Sequence, residues 1–104
     1  MRAVVALPGQ PVEVREVEGL EDYQRICGGL VDSLPLSVLD VQTGRKAIAY
    51  VSDEGIIRGL PPNQMSICGP IVVVADDGND GEGNDDGLSV VEAKAVQAYL
   101  EHLR

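Results

Sequence analysis

Apolar residues fall into short runs set off by glycine, proline and acidic positions, and the densest runs lie within residues 45–75. Residues 46–52 alternate well enough to form one strand, and Asp53-Glu54-Gly55 supplies the residue types of a tight reversal. Ile56-Ile57-Arg58 is then expected to return antiparallel to it, closing a hairpin. Gly59-Leu60-Pro61-Pro62-Asn63 stops that strand, because two prolines remove ladder donors and fix their φ angles while asparagine tolerates the left-handed region. A third run, residues 68–75, holds Ile71-Val72-Val73-Val74-Ala75 without a polar break, which marks a strand buried on both faces.

The flanking sequence can be read in the same way. Residues 1–7 are almost wholly apolar and fit a central strand, Pro8-Gly9-Gln10-Pro11 turns the chain, and Val12-Glu13-Val14 alternates like a strand with one wet face. The next apolar residue, Val17, comes three places after Val14 rather than two, which predicts a bulge or a strand end. Leu20, Tyr23, Ile26 and Cys27 recur at helical spacing behind Glu21 and Asp22, and Gly28-Gly29 supplies a C-terminal cap. Residues 30–34 read as a short strand ended by Pro35, and residues 36–45 as a crossover with a turn at Gly44. Ser89-Val90-Val91-Glu92 has the form of a capping box and opens a helix. Its core stripe is expected to hold Val96, Tyr99, Leu100 and Leu103, widened by Val91, Ala95 and Ala98.

These elements predict a single α+β domain. It has a mainly antiparallel sheet of five or six strands, a short helix and a longer C-terminal one. Phe and Trp are absent and Tyr23, Tyr50 and Tyr99 are the only aromatic residues, so the core is aliphatic and no base-stacking platform is supplied. With 17 acidic against 8 basic side chains the formal charge is −9, which repels nucleic-acid phosphates and anionic membranes alike. The sequence also offers neither a signal-peptide core nor a run of transmembrane length, and the expectation is a cytoplasmic protein. Cys27 and Cys68 stand alone and read as buried free thiols, with a single disulfide as the competing reading.

The acidic stretch 76–87, DDGNDGEGNDDG, has nothing to bury and is expected to be a flexible loop. It resembles an EF-hand loop only in composition. With Gly87 at the sixth position the last ligand falls on Ala93, and with Gly81 there it falls on Gly87, so neither register is complete. The sole histidine, His102, lies near the end of the last helix, a poor place for a general base, and with two cysteines it makes no zinc spacing. Glu13, Glu16, Glu18, Asp32, Asp53 and Glu54 sit where solvated faces and turns would put them, and the glycines form no phosphate-binding spacing. No catalytic residue, metal or cofactor is therefore assigned.

The remaining candidate is the turn itself, Arg58, Gly59, Leu60, Pro61, Pro62 and Asn63, which groups a cationic fork, a rigid proline pair and an amide. It reads either as a structural stop or as a binding surface. At this turn, together with Pro8-Gly9, Gly28-Gly29, Asp53-Glu54-Gly55 and Ile67-Cys68-Gly69, the chain resembles a domain-of-unknown-function family of small proteins from phages, plasmids and actinobacterial genomes. The family's Asn is often followed by Arg, and here by Gln64. The resemblance covers most of the chain and implies the same fold and a mobile-element setting, with no catalytic residues to carry over. The function expected first is a non-enzymatic interaction protein that binds a host protein. Second comes a module holding an anionic small ligand at the 58–63 turn, and third a carboxylate-based enzyme.

Overall fold

The computed structural model describes residues 1–36, 46–55, 58–63, 65, 67–76 and 85–102. Six strands, β1 (Arg2–Ala6), β2 (Glu13–Glu16), β3 (Val31–Leu36), β4 (Lys46–Ser52), β5 (Ile71–Asp76) and β6 (Asp85–Asp86), join two helices, α1 (Leu20–Cys27) and α2 (Val90–His102). They form one sheet in the order β2-β1-β5-β4-β3, antiparallel at every pairing. β4 runs along the whole of β5, while β1 and β6 share its other side, β1 facing Ile71 to Val73 and β6 facing Ala75 and Asp76.

Strand parity divides the core into two. Val4, Ala6, Ala47, Ala49, Val51, Ile71, Val73 and Ala75 face α2, against Leu88, Ala93, Val96 and Leu100. Ala3, Val5, Val72 and Val74 face the other way, against Tyr23 and Cys27 of α1. The result is three layers, helix on sheet on helix, within a single α+β domain. Ile71 to Ala75 are each 0% exposed, so the unbroken apolar run identifies the strand that both layers cover.

Both helices start and stop for local reasons. α1 ends at Gly28, which takes the left-handed conformation at φ 79° and donates its N–H to Gln24 O. At the head of α2 the Ser89 N–H donates to Glu92 Oε1 at 2.8 Å and the Glu92 N–H to Ser89 Oγ at 3.1 Å, the reciprocal pair a capping box requires.

Some expectations change. Arg58, the described residue of the expected return strand, does not pair with β4. Its N–H donates to Glu54 O and that of Leu60 to Gly55 O, while β4 pairs with β3 and β5. A β-carbon on Gly55 would lie 2.2 Å from Cys68 O, so that turn closes directly on the approach to β5. Pro35 lies inside β3 rather than ending it, which an edge strand permits because no described strand pairs with its outer side. Of the bulge or strand end expected near Val17, the strand end holds, since β2 stops at Glu16. The β1–β2 register is continuous, and Val12 packs towards α2 while Val17 packs towards α1, opposite faces at an odd spacing. The buried stripe of α2 is Glu92, Ala93, Val96 and Leu100, with Val91, Ala98 and Tyr99 exposed. Leu20 of α1 is likewise exposed.

The acidic stretch is shorter at both ends than the composition implies, since Asp76 closes β5 and Asp85 and Asp86 form β6. Residues 77–84, the 37–45 part of the crossover, Ile56, Ile57 and Leu103 lie outside the described residues. Both cysteines are free thiols, Cys27 buried and Cys68 half-buried.

Ending the chain before Val96 should unfold the protein. Val96 and Leu100 are 0% exposed, and burial of each contributes roughly 1.5–3 kcal/mol, together a large share of a small domain's margin. The truncated chain is expected to lack a cooperative thermal transition by circular dichroism.

Candidate functional site

The 58–63 turn lies between β4 and β5, and the structure sends its polar side chains to separate anchors. Arg58 Nη1 donates to Gly28 O at 2.8 Å, just past the C-terminus of α1, where carbonyls are unpaired and the helix dipole favours a cation. A β-carbon on Gly29 would stand 3.1 Å from that same nitrogen, so the Gly28-Gly29 pair both caps the helix and makes room for the guanidinium.

Asn63 reaches the other way. Its Nδ2 donates to Ala6 O at 2.8 Å, at the end of β1, and to Gly69 O at 2.9 Å, while its backbone N–H donates to Ile67 O. Gly69 N–H donates to Pro61 O, and Pro62 forms a bridge with Cys68, so Pro61, Pro62 and Asn63 are tied to Ile67, Cys68 and Gly69. Met65 between them has φ 61°, a rare conformation for a side-chain-bearing residue, held while the side chain packs into the α2-side core. Gly59, Pro61 and Pro62 stay exposed and Leu60 is half-buried. Of the six residues singled out by sequence, the structure thus keeps the prolines and Gly59 outside and ties Arg58 and Asn63 to other elements.

A second constellation has no counterpart in the sequence reading. Tyr23 of α1 and Tyr50 of β4 stack with centroids 4.3 Å apart and planes at 17°. Both hydroxyls donate to the carboxylate of Asp85, Tyr23 to Oδ2 at 3.0 Å and Tyr50 to Oδ1 at 2.8 Å, and Met1 Sδ lies 4.0 Å from the Tyr23 oxygen. The one available signal was that a tyrosine on a buried stripe needs an acceptor, and acceptors abound in the acidic stretch. Burial first, then the charge of and hydrogen bond to Asp85, drives both phenols well above their ordinary range. They are held as neutral donors, suited to anchoring β6 rather than to taking a proton.

Cys27 is comparably inert. Burial pushes its thiol up to about 11, and Sγ lies 3.9 Å from Tyr50 O and 3.8 Å from Pro70 O, far from the activated thiolate of a nucleophile. His102 is exposed in the last turn of α2. Among the described residues no three His, Cys, Asp or Glu side chains gather as metal ligands, and no helix is long and apolar enough to cross a membrane.

A family model described as Domain of unknown function (DUF3846) matches residues 1–102, and the chain belongs to that family. No curated protein and no solved structure matches the chain.

Two measurements check this geometry. Asn63→Ala removes a donor from two strand-end carbonyls and should lower stability by about 1–3 kcal/mol in urea unfolding, whereas Arg58→Ala, at an exposed position, should cost about 1 kcal/mol or less. Because the phenol values of Tyr23 and Tyr50 are raised by folding, the stability they contribute is complete below the ordinary value of about 10 and is lost as pH rises above it. In a Tyr99→Phe variant, which retains only these two, phenolate absorbance should appear together with unfolding and not before it.

Proposed function

We propose that the protein is a non-enzymatic interaction protein, cytoplasmic and acidic, carried by a phage or mobile element, that binds a protein of its bacterial host through the 58–63 turn. One observation supports this reading above others. The polar side chains of the turn are engaged within the fold, Arg58 at Gly28 and Asn63 at Ala6 and Gly69, while Gly59 and the rigid pair Pro61 and Pro62 stand exposed. A proline pair held by its own loop loses little conformational freedom when another surface closes over it, the property that favours a protein contact.

Leu60 extends the same surface. Its Cδ1 would be 2.8 Å from a β-carbon on Gly69, so the side chain lies across the loop and presents fixed apolar area. A net charge of −9 favours encounter with a basic protein surface. The alternative of an anionic small ligand draws on Arg58, which is exposed, and is the weaker reading because that guanidinium already donates to a carbonyl.

Affinity capture from host lysate, with mass spectrometry of bound proteins, compares the wild type with a Pro61→Glu/Pro62→Glu variant and with Arg58→Ala. One host protein should be retained by the wild type and by Arg58→Ala and lost from the proline variant, whose thermal transition stays in place. Equal capture by wild type and proline variant would place binding elsewhere, and loss with Arg58→Ala alone would favour the ligand reading.

A further inference from the structure

We infer that the outer edge of β2 is an interface between two copies of this chain, paired antiparallel about a two-fold axis at Val14. β2 closes one side of the sheet, and among the described residues no strand lies outside it. All four of its residues are exposed, Val14 at 46%. The opposite edge, β3, contains Pro35, whose missing donor blunts it, whereas β2 contains no proline.

The register follows from which backbone groups face outward. Val17 N–H donates to Met1 O at 2.9 Å and Met1 N to Val17 O at 2.7 Å, so these residues form a hydrogen-bonded pair. By the antiparallel alternation, Ala3 with Arg15 and Val5 with Glu13 are bonded pairs as well, and the N–H and C=O groups of Val12, Val14 and Glu16 point away from β1. The bond from Gln97 Nε2 to Val12 O at 3.1 Å, arriving from α2, agrees with that direction. A second β2 must meet this edge with its own outward-facing residues, so the two-fold axis falls on a residue and not between two.

Charge then selects among the central registers. An axis at Glu13 opposes Glu13 to its own copy, and an axis at Arg15 opposes Arg15 to its own copy, both repulsive. An axis at Val14 places Glu13 opposite the Arg15 of the second copy twice over and Val14 opposite Val14, and it pairs the outward groups of Val12 with those of Glu16. Glu13 and Arg15 already form an ion pair within one chain, so the assembled edge carries a closed ring of four alternating charges on the α1 face and an apolar contact on the α2 face. At −9 per chain the two copies repel at long range, and the association is reversible.

Sedimentation equilibrium of the full chain tests the assembly. Wild type should show a monomer–dimer equilibrium below about 1 mM, Arg15→Glu should weaken it about tenfold or more, and Glu13→Arg with Arg15→Glu should restore it. Each variant should keep the wild-type thermal transition. Register is read independently by oxidation, because Cα atoms of a directly opposed bonded pair lie about 5.5 Å apart, within disulfide reach. Val14→Cys should cross-link to a dimer on a non-reducing gel well ahead of Glu16→Cys. A strictly monomeric wild type, an Arg15→Glu variant that dimerises as strongly as wild type, or equal cross-linking at the two positions would each overturn the inference.

Discussion

The double burial of β5 constrains everything else in this domain. A strand whose Ile71 to Ala75 are wholly inaccessible must be paired along both sides and covered on both faces. Both sides are supplied by antiparallel neighbours, β4 on one and β1 with β6 on the other. The faces are supplied by α1 and α2, and with no phenylalanine or tryptophan to fill wide gaps, the layers rest on valine, alanine, leucine and isoleucine packed close together. Alanines in the layer facing α2, at Ala6, Ala47, Ala49, Ala75 and Ala93, let helix and sheet approach.

Three polar fastenings hold the margins of that aliphatic core. Arg58 ties the turn after β4 to the end of α1, Asn63 ties the loop before β5 to the end of β1, and Asp85 ties β6 to α1 and β4 through two phenols. Each joins elements distant in sequence through backbone carbonyls or phenol hydroxyls. A loop fixed in this manner can present a rigid exposed surface, which is how the fold connects to the interaction role proposed for the 58–63 turn.

What the sequence makes legible is whatever is decided locally. The bounds of α1 follow from acidic residues at its head and Gly28-Gly29 at its tail, the capping box of Ser89 and Glu92 opens α2, and the apolar run from Ile71 marks the central strand. Choices decided by tertiary pairing are not legible. Asp53-Glu54-Gly55 suits a hairpin equally well, but β3 and β5 occupy both sides of β4, leaving no ladder for residue 58 to join. Pro35 reads as a terminator until β3 is known to be an edge, and the helical stripe of α2 is rotated towards Glu92 and Ala93 because the capping box buries Glu92. The candidate turn is visible as a group of residue types, but Arg58 reaches a carbonyl just past α1 and Asn63 one in β1, 30 and 57 positions away. The stacked tyrosines with Asp85 are invisible for the same reason, with partners 62 and 35 positions apart.

The two surfaces, the 58–63 turn and the β2 edge, are related by the geometry of the sheet. Asn63 places the turn at the Ala6 end of β1, and β2 runs alongside β1 on the next line of the sheet. A two-fold axis through Val14 stands perpendicular to that sheet, so it carries the turn of one copy to the opposite strand end of the other. The two turns then face away from each other across a continuous sheet, while the α2 helices share one face. Such a pair cannot set both turns on a single flat partner surface, and it gains no avidity there. It can bridge two partner molecules, one at each end. The self-association proposed through β2 would therefore leave the intrinsic affinity of the proposed turn site unchanged and alter only how many partners one assembly could hold.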